Sequence, residues 1–129
     1  MATGVHTIFE VSDEIATLTL NRPEAKNALS NEMRVEMQAA FDECTERAGD
    51  DIKALIITGA GGAFCAGGDV KGMGDRSKDP IANRTRMRGS HDTMYQMAHL
   101  ELPVISLVDG PAAGAGANTS AAAASIWWV

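Results

Sequence analysis

The sequence predicts an α/β fold. Short β-branched runs alternate with longer helix-patterned stretches in the order β-β-α-β-α-β-α, and two of the apolar runs lead directly into glycine-rich turns. No linker divides the 129 residues, a length that fits about one domain of roughly 100–200 residues with an ordinary core.

Val5 to Val11 reads as the first strand and Ile15 to Leu20 as the second, where Ala16, Leu18 and Leu20 alternate with Thr17 and Thr19. Ser12-Asp13-Glu14 between them suits a hairpin turn. Asn21-Arg22-Pro23 ends the pattern, because proline lacks a donor and restricts the residue before it. Ser30 is the expected N-cap of the first helix, with Glu32 in its first turn. Met33, Met37, Ala40, Phe41 and Cys44 recur on one face, read as core rather than as a cofactor contact, and Gly49 is the expected stop. Ala54 to Thr58 is a buried strand by its short apolar run. A glycine-rich loop follows from 59 to 74. Segment 75–90, with Arg84, Arg86 and Arg88, reads as a polar loop leading into a helix over Thr93 to Leu100. Val104 to Val108 is another strand. Asp109-Gly110-Pro111 turns the chain, and an Ala/Gly-rich helix is expected from near Ala112.

Composition narrows the function classes. Hydrophobic residues make up 45% and charged residues 22%, a folded rather than disordered balance. Lys plus Arg number 11 against 17 Asp plus Glu, a net charge of -6, which argues against a nucleic-acid partner. Cys44 and Cys65 do not form a disulfide framework, and MATGVHTIFE lacks the basic-then-apolar pattern of a signal peptide, so a cytoplasmic protein is expected. Residues 111–129 carry no charge, but alanine dominates and Asn118, Thr119, Ser120 and Ser125 interrupt them. A helix buried against the rest of the protein fits better than a membrane span, and no membrane partner is expected.

The chemistry-bearing candidates are the two glycine-rich bends, Phe64-Cys65-Ala66-Gly67-Gly68-Asp69-Val70 and Gly110-Pro111-Ala112-Ala113-Gly114-Ala115-Gly116. Neither has the spacing of a phosphate loop. Gly59-Ala60-Gly61 opens like a dinucleotide fingerprint, but Phe64 stands where the third glycine belongs. Cys65 has no second ligand at metal spacing, and His6, His91 and His99 form no ligand set. Two readings remain. The glycines serve tight turns and close packing, or they let a ligand reach main-chain N–H groups. Two N–H groups converging on one oxygen would make an oxyanion hole.

Leu20-Asn21-Arg22-Pro23-Glu24-Ala25-Lys26-Asn27-Ala28-Leu29 resembles the opening motif of the enoyl-CoA hydratase/isomerase (crotonase) family. The two glycine-rich bends resemble its first and second oxyanion segments, in family order, over about residues 8–118. The resemblance implies a spiral of β-β-α units, of which this chain carries the amino-terminal half, usually assembled as homotrimers. It implies acyl-CoA thioester substrates in fatty acid metabolism, with CoA as part of the substrate and no separate cofactor or metal. By motif match, the backbone N–H groups of Gly68 and Ala115 would hold the thioester oxygen. Ala66, Asp69, Val70 and Gly114 would lie along the CoA and acyl path, with the backbone around Ala25, Lys26 and Ala28. The shared chemistry is stabilisation of a thioester enolate.

Two departures stand against this. Family hydratases place a glutamate where Asn118 stands, and a second acid about twenty positions further on, beyond Val129. A neutral Asn is no general base. From Thr119 to Val129 the chain leaves the family pattern, closing on Trp127 and Trp128, so residues 1–118 read as a partial crotonase-like domain and 119–129 as an atypical tail. A truncated or frame-altered product of a longer gene is the expectation. Three functions follow: an acyl-CoA hydratase or isomerase, a catalytically incompetent remnant that at most binds CoA thioesters, or an interaction module pairing through its apolar tail. Asp69 is expected to cap or orient its loop, and Cys65 to pack as a small hydrophobe. His91, Tyr95 and Glu101 are candidate acid/base groups set against a solvated helix face. Lys26 and the arginines at 84, 86 and 88 are candidate contacts for CoA phosphates set against plain exposure.

Overall fold

The alternation along Ile15–Leu20 organises the molecule in the computed structural model, which describes residues 2–68, 79–121, 123 and 125–128. Ala16, Leu18 and Leu20 are fully buried while the threonines between them are half-exposed. This strand, β3, lies within a six-stranded sheet ordered β1-β2-β3-β4-β5-β6, with β1 Ala2–Thr3, β2 Thr7–Ser12, β4 Ala54–Gly59, β5 Val104–Val108 and β6 Ser125–Trp128. The β1/β2 and β2/β3 pairs are antiparallel, and β3/β4, β4/β5 and β5/β6 are parallel. The hairpin between β2 and β3 turns through Asp13 and Glu14, both at positive φ (52° and 68°).

Parallel strands need crossovers, and helices supply them. Helix α1, Asn31–Arg47, joins β3 to β4 after a short 3-10 turn at Pro23–Ala25. Ser30 caps it as expected, its side chain accepting from the Met33 N–H. Met33, Met37, Ala40, Phe41 and Cys44 all face inward and form one apolar cluster with Phe9, Leu18, Leu55, Ile57, Met97, Val104 and Val108. The core therefore lies on one face of the sheet.

Helix α2, Pro80–Ala98, corrects the expectation of a loop through residue 90; residues 75–78 lie outside the described residues. Asp79 caps it by accepting from the Ile81 and Ala82 N–H groups, and Pro80 stands at its first turn, where a missing donor costs nothing. It escaped the apolar pattern because it docks on α1 largely through polar pairs. Arg34 donates to Ser90 Oγ (3.2 Å), Gln38 to Thr93 Oγ1 (2.8 Å), and Gln96 to Asp42 Oδ1 (2.6 Å).

Three further elements differ from the sequence reading. The first long strand begins at Thr7, with Val5 78% exposed, and a short β1 precedes it. Helix α3 spans Ala115–Ala121, starting later than Ala112 because Ala112 is held in a bridge to Cys65. In place of a helix continuing through 111–129, residues 125–128 add β6 parallel to β5. None of the described helices is long and apolar enough to cross a membrane.

A candidate backbone site where three loops meet

Strands β3, β4 and β5 are neighbours and run the same way, so the loops that leave their carboxyl ends emerge side by side. These loops are 21–30, 60–68 and 109–114, and they carry the three motifs singled out in the sequence. A crevice at the carboxyl ends of parallel strands is the usual ligand position in open α/β sheets.

Main-chain hydrogen bonds lock the middle loop between the other two. On one side the Ala66 N–H donates to the Lys26 carbonyl (2.9 Å) and the Leu29 N–H to the Gly67 carbonyl (2.7 Å). On the other, the Phe64 and Cys65 N–H groups donate to the Pro111 carbonyl (3.1 and 3.2 Å), and the Ala113 N–H donates to the Cys65 carbonyl (3.0 Å). A trans peptide points its C=O and the following N–H in opposite directions. With the Gly67 carbonyl turned toward Leu29, the Gly68 N–H is turned away from the 26–29 loop. Gly67 itself stands at φ 103°, a conformation only glycine adopts readily.

The second bend approaches just as closely. A Cβ on Gly116 would lie 2.2 Å from the Cys65 carbonyl oxygen, so only glycine fits there. A Cβ added to Gly114 would lie 3.9 Å from Gly67 Cα, so the two bends are separated by about the width of one side-chain carbon. The Gly116 N–H closes a turn onto the Ala113 carbonyl (2.8 Å), and Ala115 opens α3, where first-turn N–H groups have no partner within the helix. Tight packing thus requires glycine at this bend, and a backbone site would draw on the same residues.

The other site candidates fall as follows. Ala25 is half-buried beside Lys26, whose side chain is exposed and whose backbone is left-handed (φ 51°); Ala28 is buried and Ala66 exposed. Asp69 and Val70 lie outside the described residues. Cys65 is fully buried, and burial pushes its thiol up from the ordinary value against a smaller opposing backbone hydrogen bond from Gly67. A protonated, packed thiol is no nucleophile. His91 lies with Arg84 and Arg88 along an open groove of about 550 Å³ on α2, walled also by Pro80, Asn83 and Met87. Tyr95 is exposed and stacks on His99 with ring centroids 3.9 Å apart; Glu101 is exposed. Among the described residues no cluster of His, Cys, Asp and Glu could hold a metal.

One residue central to this arrangement was overlooked in the sequence. Asn27 is fully buried at φ 58°. Its amide donates to the Ala60 and Ala63 carbonyls, both at 2.9 Å, and its Oδ1 accepts from the Arg22 N–H at 2.7 Å. The available signal was an asparagine four residues after a proline, since Asn tolerates the left-handed region and bonds to nearby main chain.

A mostly parallel sheet wound by crossover helices, with interlocked main-chain bends at the strands' carboxyl ends, defines an α/β protein whose candidate site is formed by main chain. Comparison with known proteins narrows this to one family. The enoyl-CoA hydratase/isomerase family matches residues 10–126, and the chain belongs to that family. A Rhodobacter capsulatus protein described as a probable enoyl-CoA hydratase is 41% identical over 120 residues, 92% of this chain and 44% of the relative. The 1,2-epoxyphenylacetyl-CoA isomerase of Escherichia coli is 40% identical over 113 residues, 84% of this chain and 41% of that enzyme. An enoyl-CoA hydratase/isomerase structure from Xanthobacter autotrophicus Py2 superposes with a TM-score of 0.87 at 33% identity, covering 98% of this chain and 46% of the other. The fold is therefore crotonase-like, and the chain spans about half the length of the relatives it matches.

Proposed function

We propose that the chain binds acyl-CoA thioesters and holds the thioester carbonyl oxygen between the N–H groups of Gly68 and Ala115. The single observation that carries this reading is the interlock of the two bends, in which the Ala113 N–H donates to the Cys65 carbonyl and a Cβ on Gly114 would come within 3.9 Å of Gly67 Cα. Donors fixed by a surrounding ladder need no reorganisation as charge develops on the oxygen, which is how such sites stabilise an enolate. The path through Ala25, Lys26, Ala28, Ala66, Asp69 and Val70 would carry the CoA and acyl portions, with the cationic Lys26 suited to a phosphate. The named relatives act on CoA thioesters by different chemistries, hydration for one and epoxide isomerisation for another, so kinship supports the substrate class rather than the reaction.

Proton transfer is the missing half of the mechanism. Asn118 replaces the glutamate that the family resemblance expects, and an amide neither takes nor gives a proton at neutral pH. With an amide at that position, these 129 residues are expected to bind thioesters with little hydratase activity. Titrating the purified protein with crotonyl-CoA and with free CoA tests this, alongside a hydration assay. Saturable binding, tighter for the thioester than for CoA, is expected. Turnover in the ordinary enzyme range of about 1–10³ per second would overturn the incompetent reading and establish a hydratase. Equal affinity for CoA and crotonyl-CoA would overturn the carbonyl site. A cytoplasmic location follows the same kinship and remains part of the proposal.

A further inference from the structure

Asn27 ties the loop after β3 to the loop that carries the bend at Gly67–Gly68. Its amide spans two carbonyls of the loop after β4, Ala60 and Ala63, and its Oδ1 and backbone N–H both engage Arg22 in the loop after β3. Residues 26 and 29 on either side of it then make the two main-chain bonds that hold Ala66 and Gly67. Deleting the side chain would leave two carbonyls and one N–H without this partner, and the two loops would lose the two Asn27 bonds that link them. The peptide that carries the Gly68 N–H is oriented by the Leu29 bond, two residues along the same loop from Asn27.

We infer that Asn27 is a positioning residue for the carbonyl-oxygen site: it sets the register of the 26–29 loop on the 60–68 loop and so aims the Gly68 N–H. The inference rests on Gly68 being a carbonyl donor, and its test separates the two. N27G keeps the left-handed backbone open to glycine while removing all three side-chain bonds. M37A, a truncation in the core under α1, serves as a control for general loss of stability. Two quantities are read: amide hydrogen exchange at Ala66 and Leu29, and the carbonyl stretch of isotope-labelled crotonyl-CoA bound to each protein.

In N27G, exchange at Ala66 and Leu29 is expected to rise about tenfold beyond the rise in M37A, as local opening of the ladder requires. The red shift of the bound carbonyl seen in the wild type is expected to vanish in N27G and persist in M37A, while crotonyl-CoA still binds. Exchange at the two amides no faster in N27G than in M37A would overturn the inference, as would an unchanged red shift in N27G. Should N27G fail to fold, N27D takes its place, since it keeps the acceptor for Arg22 and loses only the two donated bonds. A wild type without any red shift would overturn the carbonyl reading of Gly68, and the exchange comparison alone would then decide the role of Asn27.

Discussion

Ser106 is a single residue at odds with its surroundings. It faces the core side of β5, beside Ile57 across the ladder, fully buried, and its hydroxyl has no hydrogen-bond partner among the described residues. An unsatisfied buried hydroxyl costs about 1–3 kcal/mol, whereas an apolar group of similar size there costs little. Ser106→Ala is expected to raise stability by about 1 kcal/mol, read as a higher urea midpoint at unchanged slope. A lower midpoint would mean that the hydroxyl is satisfied after all. Cys44 gives the pH counterpart. Burial chiefly, with Glu43 nearby, raises its thiol from 9.0 to about 11. A thiol with a raised folded pKa favours the folded state fully below its unfolded value. Stability should therefore decline as pH climbs from 9.0 toward about 11, and Cys44→Ala should flatten that part of the curve. Urea melts of both proteins across this window check the sign, and equal slopes would overturn it.

At the scale of elements, the two long helices show why one was legible and the other not. Helix α1 announces itself twice, by the Ser30 cap and by an apolar stripe that is buried along its whole length. Ser30 also lies 2.6 Å from His6 Nδ1 and so ties the segment before β2 to the start of α1. Ser30→Ala is expected to cost about 1–2 kcal/mol for the lost cap and contact, measured by chemical denaturation, whereas Ser30→Asp should restore most of the capping. Helix α2 carries few apolar anchors and holds to α1 by Arg34, Gln38 and Asp42 meeting Ser90, Thr93 and Gln96. Hydrophobic periodicity is blind to such pairing; only Asp79-Pro80 signalled the start. The strands β3, β4 and β5 were readable because alternation and β-branching coincide in them. The two short edge strands were not, because Ala2–Thr3 and Ser125–Trp128 take their form from the neighbours they pair with rather than from a period of their own. The bends of the candidate site were legible as motifs. Their interlocking through Asn27 was not, since it depends on contacts across 33 and 36 residues of chain.

The whole molecule is lopsided. Every core residue of β3, β4 and β5 points to the face covered by α1 and α2, while the alternate residues Ile15, Ile56, Ile105 and Leu107 on the opposite face stay half-exposed. Parallel strands are almost always covered on both faces, which is why their sequences carry apolar residues on both. Here the second face is a patchwork: Thr17, Thr19 and Thr58 lie among the isoleucines, and the Thr58 hydroxyl donates to the Leu107 carbonyl (3.1 Å). A partly covered apolar face of this kind favours association, so the purified chain is expected to self-associate with rising concentration and to bind a hydrophobic dye in its native state. Ile56 and Ile105 sit side by side in the ladder, at the centre of that face. Replacing both by threonine keeps the β-branched shape that the strands need and removes apolar area from the partly exposed face. The double variant should therefore stay folded, lose dye binding and sediment as a smaller species at concentrations where the wild type associates. A wild type that remains monodisperse and dye-free would show that the face is closed in solution, and the two substitutions would then cost stability instead of solubilising the protein.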